Sequence, residues 1–189
     1  SIVAAGAGAQ VAKHGNRSVS SRCGSADLLE ALGVKIDAPP KRMTQTLEEC
    51  GMGYYHAPLY HRTFKSLQKL RKDLIKQYKI RTIFNVIGPL VNPLQLRKQA
   101  IGVFRKDLVG EVTRALKLSG FNRALVFRSF DGMDELTTTD KTLLAELRNG
   151  KIKMRTLDPG QLGFKRGKRG DLNGGNSKFN AKIATNLLN

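Results

Sequence analysis

Nine consecutive residues, Lys13-His14-Gly15-Asn16-Arg17-Ser18-Val19-Ser20-Ser21, combine two cations, an imidazole, an amide, three hydroxyls and a glycine. So many donors in one short stretch suit a bound anion, because charge-assisted hydrogen bonds to phosphate or carboxylate oxygens satisfy several of them at once. Taken singly, Lys13, Asn16 and Arg17 would more often be residues of a solvated surface turn than ligand contacts; Ser21 ends the stretch. The stretch follows an apolar Ala/Gly-rich segment, Ile2 to Val11, and precedes Gly24 to Gly33, whose apolar spacing predicts a helix with Ser25 as N-cap and Gly33 as its stop. The polar run is therefore expected in a loop that opens a helix, where backbone N–H groups and the helix dipole favour phosphate. A second group, Asp134 and Glu135, follows Gly132 at the end of a predicted strand over 123–128. Ligands of α/β sheets gather at strand C-terminal ends, and paired carboxylates near a phosphate suit Mg²⁺, a hard ion that prefers oxygen. Exposed loop acids are common, so the pair alone does not decide.

The segment 61–78 predicts a long helix. At 100° per residue Phe64, Leu67, Leu70, Leu74, Ile75 and Tyr78 fall on one face. Arg71 projects into that face, where a cation must find a partner: a buried salt bridge, a stacked guanidinium, or a carboxylate ligand held bidentately. Arg62, Lys65, Lys69, Lys72, Lys76 and Lys79 recur at spacings of three and four as a cationic stripe. Like charges so placed repel, so the stripe reads as facing a polyanion or, with equal weight, as a solvated face. Lys165, Arg166, Lys168 and Arg169, interleaved with Gly167, form a second basic cluster, either a contact to phosphate backbones that reads no sequence or a disordered solubilising loop.

Lys and Arg total 33 against 15 Asp and Glu, a net charge of +18. Residues 61–81 hold eight Lys or Arg against one Asp, and residues 148–169 hold eight against one Asp. A small phosphate ligand needs a few local cations only, so this excess points to a polyanionic partner, most simply RNA or DNA. With no Trp and few aromatics, base stacking is not expected.

These groups require an α/β scaffold. Helices are predicted at 1–8, 25–33, 42–50, 61–78, 106–119, 140–148 and 177–188. Strands are predicted at 9–13, 54–57, 100–104, 123–128 and 151–156, with Asn149-Gly150 turning the chain into the last. Residues 81–93 read as irregular, 131–135 as a loop and 160–175 as a basic Gly-rich loop. The pattern implies a central, mostly parallel sheet flanked by helices, in one domain over 1–189. No apolar run is long enough to span a bilayer, and no membrane partner is expected. Cys23 and Cys50 lack metal or redox spacing and read as reduced thiols. An intracellular, reducing compartment follows as the expectation, cytoplasm or organelle.

Lys13 to Ser21 followed by Gly24 to Gly33 resembles the anthranilate phosphoribosyltransferase family, within the glycosyltransferases that include the nucleoside phosphorylases. Arg81 to Pro93, Ile101 to Phe104, Asp131 to Leu136 and Leu172 to Gly175 extend the resemblance along the chain in the family's order. It implies the large α/β domain of that enzyme without its helical small domain. It also implies phosphoribosyl transfer from phosphoribosyl diphosphate to anthranilate, with Mg²⁺. By position Lys13 would contact the diphosphate donor, His14 and Asn16 would line the acceptor tunnel, Asp134 and Glu135 would hold Mg²⁺, and Arg71 would meet the anthranilate carboxylate. The 189 residues contain neither the family's Gly-Thr-Gly-Gly-Asp loop nor its Asn-x-Ser-Thr motif, and the match reads as cut at both ends. Ile75 to Lys79 read as extra residues, and Asn176 stands where the family usually has Asp. The expectation is a family member inactive as this piece. The alternative is an inactive relative serving as a structural, RNA-contacting component of a nucleoprotein assembly, such as an organellar ribosome, with no cofactor.

Overall fold

The computed structural model describes residues 1–18, 21–61, 70, 73, 77 and 84–189. In chain order its elements are α1 (Ile2–Gly6), β1 (Val11–Gly15), α2 (Ser25–Ala31), α3 (Pro40–Cys50), β2 (Met52–His56), α4 (Ala57–Tyr60), α5 (Phe84–Leu90), β3 (Lys98–Gly102), α6 (Leu108–Leu118), β4 (Arg123–Ser129), β5 (Thr142–Arg148), β6 (Lys151–Leu157) and α7 (Ser177–Leu188). Two 3-10 turns, Pro159–Leu162 and Arg169–Leu172, interrupt the stretch read as a loop. The result is the expected α/β class, parallel strands flanked by helices, gathered into two compact units: Ser1–Thr82 with Gly174–Asn189, and Ile83–Asn173.

In the first unit β1 and β2 pair in parallel, Lys13 opposite Tyr54 and Gly15 opposite His56. A parallel pair needs a crossover, and α2 and α3 supply it. Helix α2 buries Ala26 and Leu29 with Ile36 and Tyr54 in a small core. Pro40 starts α3, its ring preset for the first helical turn. Asn176 caps α7, its side-chain oxygen accepting from the Phe179 N–H at 2.9 Å. An Asn does this as well as the Asp expected there. Leu70, Asp73 and Gln77 are helical and exposed. Exposure at Leu70 departs from its predicted place on an apolar face; the rest of the predicted 61–78 helix lies outside the described residues.

The second unit is a four-stranded sheet in the order β3-β4-β5-β6. β3 and β4 are parallel; β4-β5 and β5-β6 are antiparallel. Two sequence expectations are corrected here. Thr142–Arg148 is strand, not helix, since Leu143, Ala145 and Leu147 point into the core on alternate residues between two strands that bind both its edges. Leu, Ala and Glu are good helix formers, but propensity is a weak force beside tertiary context, and pairing on both sides overrides it. Phe84–Leu90 is helix rather than irregular, with Pro89 in its last turn and Val86 and Leu90 packed on the core. The core also takes Val109, Val112 and Leu116 from α6. The buried Thr113 hydroxyl donates to the Val109 carbonyl at 2.6 Å. Asn149 (φ 49°) and Gly150 (φ 74°) both adopt positive φ, the conformation a two-residue hairpin requires.

Leu116 is fully buried while Leu118 is 88% exposed. Leu116→Ala is expected to lower the unfolding free energy by about 2–5 kcal/mol, and Leu118→Ala to stay within about 0.5 kcal/mol of the parent. Urea unfolding of the two variants checks this.

Candidate functional site

In the first unit the loop after β1 folds back on the start of α2. The Asp27 carboxylate accepts from the Ser18 N–H at 3.0 Å and the Gly24 N–H at 2.7 Å. Gly24, not Ser25, is thus the N-cap of α2, with Asp27 reaching back from the third helical position. The reason is room: a Cβ on Gly24 would lie 2.4 Å from the Ser18 nitrogen and 3.0 Å from the Asn16 carbonyl oxygen. Ser25 instead presses on Gly15, where a Cβ would lie 2.5 Å from the Ser25 Oγ and 3.1 Å from the Tyr54 hydroxyl. The backbone N–H donors hold the Asp27 carboxyl below its usual range, and the Arg17 guanidinium adds to the effect.

The structure brings together most of the loop residues singled out from the sequence. Lys13 and His14 are half-buried on β1, Gly15 ends the strand, and Asn16 and Arg17 are exposed. Arg17 is bidentate on Glu30, at 2.7 and 2.8 Å, with Asp27 at 3.4 Å. Those hydrogen bonds raise its pKa and lower that of Glu30. Ser18 and Ser21 bond each other, the Ser18 Oγ donating to the Ser21 carbonyl at 2.6 Å. Asn16 accepts from the Arg17 N–H at 2.7 Å. The His14 ring meets that of His61 edge-on, 5.0 Å between centroids. Among the described residues Lys13 takes part in no ion pair. Arg71, Arg62, Lys65, Lys69, Lys72, Lys76 and Lys79 lie outside the described residues.

His56 was not singled out from the sequence. It stacks on Tyr54, 6.1 Å between centroids, and with Arg17, Glu30 and Asp37 lines a hollow of about 320 Å³. Burial, then the Arg17 charge, pushes its imidazole pKa down from 6.5. Only the β1–β2 pairing, which sets His56 opposite Gly15, reveals it.

In the second unit the loop after β4 holds the acids. The Asp131 carboxylate organises the loop: it accepts from the Ser129 hydroxyl, the Met133 N–H at 3.2 Å and the Thr139 hydroxyl. The Arg169 guanidinium donates to the Asp131 carbonyl at 2.8 Å. Asp134 is pressed against β3, where a Cβ on Gly102 would lie 1.6 Å from the Asp134 carbonyl oxygen. Asp134 and Glu135 are exposed and outside every ion pair of the described residues. Their donor set is oxygen only, which fits a Mg²⁺ that keeps several waters and shares phosphate oxygens. The described residues hold no group of three metal-binding side chains. Of the second basic cluster, Arg166 pairs with Asp158 at 3.4 Å and Asp140 at 3.7 Å, while Lys165 and Lys168 are exposed. No described helix is long and apolar enough to cross a membrane.

Because His56 binds its proton less readily folded than unfolded, the unfolded chain takes up more protons as pH falls through about 6.5, and stability drops there. His56→Phe should reduce the difference between urea midpoints at pH 7.5 and 5.5; an unchanged difference would show that His56 does not contribute.

The whole chain, residues 1–189, matches the family described as glycosyl transferase family, a/b domain. It is 44% identical to anthranilate phosphoribosyltransferase of Persephonella marina over 187 residues, 99% of this chain and 54% of that protein. It is 46% identical to that of Methanosarcina mazei over 181 residues, 96% and 48%. The chain thus spans about half the length of the curated relatives it matches. The crystal structure of anthranilate phosphoribosyltransferase from Thermus thermophilus superposes with a TM-score of 0.89 at 40% identity, covering 99% of this chain and 54% of that one. The Saccharomyces cerevisiae enzyme, solved in complex with PRPP and Mg, gives 0.85 at 27% identity, over 98% and 50%. The chain belongs to the glycosyl transferase family, a/b domain, and is an anthranilate phosphoribosyltransferase-like α/β domain.

Proposed function

We propose that the chain supplies the phosphoribosyl diphosphate and magnesium contacts of anthranilate phosphoribosyl transfer. The observation that carries this reading is Lys13, a half-buried cation outside every ion pair of the described residues, set on β1 just before the loop that Asp27 clamps. In the transfer the anthranilate nitrogen bonds to the ribose anomeric carbon as the bond from that carbon to diphosphate oxygen breaks. The electron pair leaves with diphosphate and the nitrogen loses a proton. Lys13 meets the departing negative charge, and His14 and Asn16 border the acceptor. Asp134 and Glu135 would hold Mg²⁺, which supplies neutralisation of the diphosphate as its charge develops. Arg71 is proposed to receive the anthranilate carboxylate. Gly15 and Ser21 shape the loop, and Arg17 serves chiefly to brace it through Glu30. The match of one family over 1–189 supports treating the two units as parts of one domain.

As a separate polypeptide of 189 residues the chain contains no Gly-Thr-Gly-Gly-Asp loop, and it is expected to bind phosphoribosyl diphosphate without turning it over. Titration calorimetry with and without Mg²⁺ tests the assignment. Lys13→Gln should weaken binding about 10- to 100-fold, from the roughly 1.5–3 kcal/mol of a hydrogen bond to a charged group. Asp134→Asn with Glu135→Gln should abolish the Mg²⁺ dependence and spare the metal-free binding. Equal affinities for all three proteins would overturn the reading.

A further inference from the structure

The sheet of the second unit has two unlike faces. Val126, Ala145 and Leu147 face the α6 core; the residues alternating with them turn to the other side. There the cross-strand register sets Lys98 beside Arg123, Arg123 beside Arg148, and Arg148 beside Lys151. One cation from each strand thus forms an unbroken row, and all four are exposed. Lys153 and Arg155 continue the charge along β6 on the same face. Glu146 is its one acid, and Arg155 pairs with it at 3.7 Å. Under the row lies a hollow of about 460 Å³ lined by Lys98, Ala100, Arg123, Leu125, Glu146 and Arg148.

Like charges directly opposite on neighbouring strands destabilise a sheet. Three such pairs in succession, with no carboxylate bound to Lys98, Arg123, Arg148 or Lys151 among the described ion pairs, leave a site whose repulsion an external polyanion would relieve. The row stands at the beginnings of β3 and β4, whereas Asp134 and Glu135 follow the far end of β4. Asp134 passes beside Gly102, four residue steps along β3 from Lys98, about 13 Å. The row is therefore set apart from Asp134 and Glu135.

We propose that this row binds the phosphate backbone of a nucleic-acid duplex. At about 4.8 Å per strand the four cations span about 14 Å. A duplex backbone presents several phosphates over such a length, a linear run of negative charge that matches a linear run of cations. The exposed cations of β6 extend the match beyond what a single small anion needs. Phe127 is the one aromatic side chain on the face and is half-buried, so the contact is to phosphate and reads no base.

The test is fluorescence anisotropy of the 189-residue chain with two unrelated 20-base-pair duplexes across a salt series. The wild-type affinity should fall log-linearly with salt and be alike for both duplexes. Arg123→Gln, Arg148→Gln and Lys151→Gln together should flatten the slope by about 2.7, at about 0.9 for each phosphate left without its cation. Removing equal charge elsewhere, at Lys41, Lys178 and Lys182, should flatten it by less than half as much. As a readout that needs no variant, the duplex should protect Lys98 and Lys151 of the wild-type chain from acetylation more than Lys41 and Lys178. Four results would overturn the proposal: binding insensitive to salt, equal flattening by both triple variants, no selective protection, or competition by inorganic triphosphate or phosphatidylserine vesicles at the charge concentration at which the duplex binds.

Discussion

One carboxylate accepting two backbone N–H groups sets the shape of the loop between β1 and α2. Asp27 ties Ser18 to Gly24, across the turn that contains the hydroxyl-rich stretch, and anchors both to the first turn of α2. The same carboxylate lies within reach of Arg17, whose fork closes on Glu30 one helical turn farther on. Anchored at these points, the loop keeps Lys13 and His14 at the strand end. The arrangement works only because Gly15 and Gly24 carry no side chain, since the space a Cβ would occupy is filled by Ser25 and by the Ser18 backbone. An exposed ion pair such as Arg17–Glu30 adds little by itself. The backbone hydrogen bonds to a partly buried charge are the stronger constraint.

The second unit solves a similar problem differently. Asp131 has its oxygens engaged by Ser129, Met133 and Thr139, and so orders the loop. Asp134 and Glu135, three and four residues on, are left in solvent. Three acids close in sequence thus divide between holding the loop and offering charge. Gly102 matters for the same reason as Gly24: the backbone of Asp134 passes where a side chain on β3 would stand.

Much of this was legible in the sequence. Hydrophobic spacing located α6, β4, β6 and α7 to within two residues, and the local motif placed Lys13 to Arg17 before a helix. What escaped depended on distant partners. Thr142–Arg148 is helical by composition and a strand because Arg123–Ser129 and Lys151–Leu157 flank it. Phe84–Leu90 contains Gly88 and Pro89, residues that read as a turn, yet its apolar side chains find the core. The bond of Arg17 to Glu30, thirteen residues away across a loop, is likewise invisible to the local motif. His56 and the row from Lys98 to Lys151 arise only from strand register, which local spacing does not encode. The total charge was plain from the composition; its alignment on one face was not.

The hairpin turn at Asn149-Gly150 also has a bearing on how the chain can vary. Two residues join β5 to β6, and both are held at positive φ. With the turn kept at two residues, one residue added or removed at this connection would shift the register of β6 by one and rotate all of it to the opposite face. Lys151, Lys153 and Arg155 would then turn toward α6, and Ile152 would turn to solvent. A slip of two residues would preserve the faces but move Arg148 out of line with Lys151. The length of this connection is therefore far more constrained than its exposed position suggests, and insertions should be much rarer here than in the long stretch between β6 and α7.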